Sequence, residues 1–359
     1  MSRKARATRR IFASPDRMLG AKIVRSVPLL YEGGGDSSLD RPAHVRAGSG
    51  LARVGGRIAV IQDDANFVAL VDPGTGHARA IPLPVGPGGE RQFGDDRGNK
   101  HLKLDLEACV TVPTAEGELL VAFGSGSSPR REHVAVLSAL DGDAPRVALH
   151  HVPALYAALR DVRAFAGSEM NIEGAVYDAG VIRLFQRGNG GRGGAGRPVN
   201  ATCTLEWAPV RAHLDDARAE PPEPRDVLQF ELGSLGGLPL GFTDAALAGD
   251  VLLFSAAAED SPDVTRDGRV AGSVVGVLHE TVARWARLHD ERGHPFSGKV
   301  EGVLVDPAAH DRVSVVVDRD DPGVPSELCD VVLTGPWWVA DARGVPHGRP
   351  GAHPRPPLR

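Results

Sequence analysis

Three glutamates and two hydroxyl residues recur along this chain, each just ahead of an apolar run. They are Ser49 in Gly-Ser-Gly-Leu-Ala (48–52), Glu107 in Asp-Leu-Glu-Ala (105–108), Glu173 in Asn-Ile-Glu-Gly (171–174), Thr243 in Gly-Phe-Thr-Asp (241–244) and Glu301 in Lys-Val-Glu-Gly (299–302). Successive copies stand 58, 66, 70 and 58 residues apart. Brought together, they would form an all-oxygen ring. Three carboxylates drawn into a narrow channel repel one another and resist desolvation. Their pKa values must rise, arginines must pair with them, or a cation must sit among them. Oxygen ligands in a loose ring suit a hard ion, Ca2+ ahead of Mg2+, whereas zinc would call for a convergent His or Cys set.

Such a ring needs equivalent elements to carry it. Each copy opens a series of short apolar runs separated by turn residues, the pattern of consecutive β-strands. The first series reads GLARVGG, RIAVIQDD, FVALVD and HARAIPL, with Pro73-Gly74 at one turn. Later series begin at Glu107, Glu173, Thr243 and Glu301, and the last is one strand short. Units of about sixty residues that cannot bury both faces alone suggest a radial array. The fold expected is all-β, a five-bladed β-propeller whose last blade is closed by an N-terminal strand. Residues 22–32 would supply that strand by pairing near 328–335, leaving no free edge. Six blades or two stacked β-domains are the competing arrangements. Short helices at 154–161 and 211–219 read as decoration of the blade connections.

The expected organisation is a basic tail at 1–21, one domain at 22–335 and a Pro/Gly-rich tail at 336–359. The 44 glycines and 28 prolines are spread between the apolar runs, as turns require. A formal charge of −5 gives no basis for nucleic-acid binding, and no apolar run is long enough for a membrane helix. Residues 1–19 lack the apolar core of a secretory signal, which points to the cytoplasm. Cys109, Cys203 and Cys329 are widely spaced and read as buried free thiols. His150-His151 and Trp337-Trp338 read as structural pairs. The glycine-rich stretch at 187–194 has no helix to follow it, so a dinucleotide-binding reading fails.

The strand starts and the longer loops share one rim in this arrangement. Asp63 and Asp64 fall there, as do Arg130, Arg131, Arg187 and Arg192. Asp63 or Asp64 could orient or deprotonate a water, and the four arginines could bind a small anionic substrate above the cation. In the ring motifs the chain is loosely similar to bacterial propellers of phytase-like or uncharacterised type, and more closely resembles the calcium-activated nucleotidases, apyrases of the five-bladed propeller type. The phrases NIEGAVY, GFTD and KVEGV are similar to theirs, and Asp63-Asp64 falls at the family's Asp-Asp-Arg-Thr-Gly motif. The resemblance implies a central Ca2+ held by Ser49, Glu107, Glu173, Thr243 and Glu301, with Asp63 and Asp64 catalytic. Here Ala65-Asn66-Phe67 replaces Arg-Thr-Gly. The activity expected is hydrolysis of a phosphoanhydride or phosphoester. The alternatives are a non-enzymatic ligand- or protein-binding propeller with a structural cation, and a lactonase-like site. The natural ligand and oligomeric state are left open.

Overall fold

The ladder pairings divide the strands into antiparallel meanders of short elements. The computed structural model describes residues 8–142, 144–189, 196–260, 268–279 and 282–338. The first meander runs Gly48–Val54, Arg57–Gln62, Phe67–Val71 and His77–Pro82. The second runs Leu106–Thr114, Gly117–Gly124, His133–Ser138 and Arg146–His151. In the third, Ile172–Asp178, Val181–Gln186, Asn200–Glu206 and Arg225–Glu231 pair in order. The fourth is built from Leu238–Ala248, Val251–Glu259, Val270–His279 and Val282–His289. The last has Lys299–Val305, Arg312–Asp318 and Glu327–Thr334. The first strands of these meanders touch in chain order, and Lys299–Val305 returns to Gly48–Val54. The sheets therefore form a nearly closed, propeller-like ring.

Turn chemistry fixes these hairpins. Between Asp178 and Val181 the chain turns on Ala179 and Gly180, both at positive φ (44° and 89°), as a two-residue hairpin demands. At the Asp72 turn the carboxylate accepts the Gly74 and Thr75 amides at 2.9 and 3.0 Å. Neighbouring meanders bury their facing sides against each other. The helix Pro153–Asp161 adds Leu155, Tyr156 and Leu159 to the core between the second and third. The Tyr156 hydroxyl lies 2.8 Å from the Gly124 carbonyl, so this helix holds the end of a strand that leads to the channel mouth.

Closure follows the sequence expectation. The N-terminal strand Gly20–Pro28 pairs antiparallel with Glu327–Thr334 as the outer strand of the last meander. An Arg25–Asp330 ion pair at 3.0 Å spans that join. The N-terminal segment does more than close one sheet. Arg9–Pro15, expected as part of a tail, forms a strand parallel to both Leu228–Glu231 and Ala283–Trp285. Leu30–Tyr31 pairs parallel with His77–Ala78. A single segment thus covers outer edges of several sheets, which removes pairing-competent edges from solvent. Only Ile11 of Arg9–Pro15 is buried, so its apolar pattern is too sparse to announce a strand. The short helices appear at Pro153–Asp161 and Trp207–Asp215, close to the expected spans. Trp337 packs in the core of the last meander, while 339–359 lie outside the described residues.

Inside the ring the first strands approach closely. The residue after each motif position is Gly50, Ala108, Gly174, Asp244 or Gly302. A Cβ on Gly302 would stand 2.9 Å from Leu51, and one on Gly174 would stand 3.1 Å from the Asp244 Cα. Small residues are required there, and Asp244 is the exception. Its buried carboxyl accepts the Val303 amide at 2.9 Å and so ties the fourth meander to the fifth. Burial pushes this carboxyl well above the usual range, although the Val303, Ala245 and Leu51 amides oppose that. Asp244→Ala should lower unfolding free energy by about 1–3 kcal/mol, the cost of leaving buried amide donors unmet. Asp244→Asn, which keeps an acceptor oxygen, should lose less in the same denaturant titration.

Candidate metal centre at the channel mouth

The five motif residues occupy one structural position. In each first strand the ladder register skips a residue, between Gly48 and Gly50, Leu106 and Ala108, Ile172 and Gly174, Phe242 and Asp244, and Val300 and Gly302. The skipped residues are Ser49, Glu107, Glu173, Thr243 and Glu301. A β-bulge turns its extra residue out of the ladder and re-aims the side chain. Ser49, Glu107, Glu173 and Glu301 line one cavity of about 320 Å3 at the strand starts. Thr243 does not line it; this side chain is buried, its hydroxyl bonded to Ser255 Oγ at 2.9 Å. Phe242 anchors this bulge through edge-on contacts with Phe185, Phe230 and Phe254, each at 5.3 Å between ring centres.

The ring is not electrically symmetric. Arg187 bridges Glu173 at 3.2 Å and Glu259 at 2.5 Å. Lys299 joins Glu301 at 2.6 Å and lies 3.5 Å from Glu259. Two of the axial carboxylates are therefore matched by protein cations. Glu107 instead accepts the Ser49 hydroxyl. Burial and the charges of Asp105, Asp63 and Glu173 push Glu107 well above its ordinary pKa, with Lys103 opposing.

Around Glu107 lies the group able to chelate a cation. Oxygens of Asp63, Asp105 and Glu107 all fall within 4.8 Å of one another. That span is about twice a Ca–O bond, so one ion could reach all three. Lys103 Nζ lies 2.5 Å from Asp63 and 2.6 Å from Asp105. Arg131 meets Asp105 at 2.9 Å and the Ser127 hydroxyl at 2.8 Å. Burial would raise the Asp105 carboxyl, but Lys103 and Arg131 outweigh it and hold the group below its usual range. Asp105 sits at φ 57°, and the turn this makes presents the Asp105 carbonyl to the Ser125 amide at 2.9 Å.

The other rim residues fall into distinct places. Asp64 is gripped by Arg46, whose Nε lies 3.0 Å from both carboxylate oxygens. Arg46 also reaches the Phe93 carbonyl at 3.2 Å, so this pair buttresses the cavity wall. Arg130 turns away to the Leu102 carbonyl at 3.2 Å. Arg192 lies outside the described residues. Arg131 and Arg187 do line the cavity, each already joined to a carboxylate. Asp105, Lys103, Lys299 and Glu259 carry roles that the motif comparison did not assign. One signal was available: Asp105, Asn171 and Lys299 each stand two residues before an axial glutamate. Among the described residues, twelve carboxylate and six basic side chains line the cavity. Such an excess attracts a cation before an anion.

Residues 44–333 match the model of a family described as a family of unknown function, DUF6929. The chain belongs to that family. The search of curated proteins finds no match. Among solved structures, this DUF6929 chain is similar to Myxococcus xanthus glutaminyl cyclase at 11% identity and a TM-score of 0.42, covering 91% of this chain and 99% of that one. A GH43 β-1,3-galactosidase bound to galactodeoxynojirimycin gives 9% identity and 0.44, with 90% and 96% covered. For the Podospora anserina α-L-arabinofuranosidase the values are 12%, 0.39, 89% and 97%. Likeness at this level carries no inference about activity.

The Arg187 bridge gives a direct test of the charge pattern. Both partners and the arginine side chain are at most 4% exposed. Arg187→Met should leave buried Glu173 without its cation and Glu259 with only the more distant Lys299, and destabilise the fold by about 3–5 kcal/mol in a denaturant titration.

Proposed function

We propose that the chain is a five-bladed propeller that binds a calcium-like divalent cation at the mouth of its channel, off the axis. The carrying observation is the convergence of Asp63, Asp105 and Glu107 oxygens within 4.8 Å beside the Ser49 hydroxyl. An all-oxygen donor set favours a hard ion, and waters would complete a high coordination number. Glu173 and Glu301, already matched by Arg187 and Lys299, act as the outer wall of this site rather than as ligands. Five bulged residues at equivalent strand starts support the blade count.

A metal in this place would present a positive charge to the cavity and bind a small anionic ligand there. Hydrolysis of a phosphoanhydride or phosphoester is the second reading, favoured by the motif resemblance to calcium-activated nucleotidases. In that reading Asp63, Asp105 and Glu107 would hold the ion, which would supply Lewis-acid chemistry toward a phosphoryl group. Arg131, which lines the cavity beside the cluster, would be the arginine that meets the ligand. Asp64, held by Arg46, lines the same cavity beside Asp63.

Added Ca2+ should raise the melting temperature of chelator-treated protein, because an ion bound only by the folded ring stabilises it by mass action. Glu107→Gln should weaken that response more than Glu173→Gln. Equal responses of the two variants would favour an axial site over an off-axis one, and no response to Ca2+, Mg2+ or Mn2+ would remove the metal centre. A screen of nucleotides and phosphate esters with and without Ca2+ separates the two functional readings. Turnover lost in Glu107→Gln supports the hydrolase; metal binding without turnover leaves a binding propeller.

A further inference from the structure

We infer that Lys103 is a built-in competitor of the metal, an ammonium group that holds the ligand pocket until a divalent cation displaces it. The inference rests on the cation site proposed above. Lys103 Nζ stands 2.5 and 2.6 Å from Asp63 and Asp105, two of the three chelating residues. A Ca2+ ion keeps about 2.3–2.6 Å from its oxygens. The ammonium therefore occupies the space that an ion bridging these two carboxylates needs. The two cannot share it.

Charge leads to the same exchange. Asp63, Asp105 and Glu107, when ionised, carry three negative charges against the positive charges of Lys103 and Arg131. Adding a divalent ion overshoots neutrality by one charge, and withdrawing one basic group restores it. Arg131 holds Asp105 at 2.9 Å but is also tied to Ser127 Oγ and sits on the short turn Pro129–Arg131, which keeps it in place. Lys103 follows the turn Lys100–Leu102 on extended backbone, and its flexible stem carries a compact point charge. The cavity it lines also exposes Asp95 and Asp96, so the displaced amine stays in acid-lined space. Metal-free protein thus keeps two of these three negative charges balanced, at the cost of a weaker metal affinity.

The test is calorimetric titration of the full chain and of Lys103→Met and Lys103→Gln with CaCl2, MgCl2 and MnCl2, alongside thermal melts. The variants should bind the preferred ion at least about tenfold tighter, since a like charge at contact distance is gone. Their metal-free forms should melt lower and gain more from the ion. Folded variants with unchanged or weaker affinity would overturn the inference while leaving the metal site standing. Should the variants fail to fold, acetic anhydride labelling of the wild-type chain read by mass spectrometry decides. Lys103 acetylation should rise when the ion binds, and unchanged labelling under saturating ion overturns the exchange. Absence of binding by wild type and variants alike would sink the metal site itself, and this inference with it.

Discussion

Like charges gathered at the centre of a ring repel, and the rest of this site is arranged around that repulsion. Closing the meanders brings Glu107, Glu173 and Glu301 near one another in a buried channel. Burial makes the repulsion stronger, since little water remains to screen it. Lys103, Arg131, Arg187 and Lys299 hold the carboxylates together. Each is buried itself, and each gains from the acids what it loses in hydration. Lys103 and Lys299 have pKa values raised well above normal, because neighbouring carboxylates outweigh the burial that opposes their charge.

This balance is uneven, and the unevenness gives the site its chemistry. One side of the ring has closed on itself through the chain Glu173, Arg187, Glu259, Lys299 and Glu301. The other side keeps Asp63, Asp105 and Glu107 clustered around Lys103 and Arg131. An ion pair in the first group is a rigid wall. The second group holds its ammonium on the same oxygens, at similar distances, that a hard metal ion would ask for.

The scaffold makes such a site precise. Bulges at five strand starts turn the motif residues from the sheets toward the mouth, and small residues just beyond them let the strands meet. Asp244 fills the space that glycine or alanine leaves elsewhere and links two inner strands. At the outside, the N-terminal segment pairs with several sheets and ties the first-formed part of the chain to the last. The site is thus defined by local backbone defects on a ring that is held from its rim.

The sequence by itself determined the strand-rich class, the repeat, the equivalent residues and the closing strand. All of these follow from local periodicity and turn chemistry, which need no distant partner. The meeting of Glu107 with Asp63, or of Arg187 with Glu259, was decided only by the tertiary structure. Asp63 and Arg187 each follow the end of one strand while their partners sit on another, and the choice depends on side-chain reach across the channel. For the same reason Arg130 and Arg131 look alike in sequence but part in space: one turns to the Leu102 carbonyl, the other to Asp105. Arg9–Pro15 was hidden because its pairing uses backbone groups, with only Ile11 to mark an inward face. The repeated motif placed Glu107; folding brought Asp63 and Asp105 to it and made the cluster that could chelate a cation.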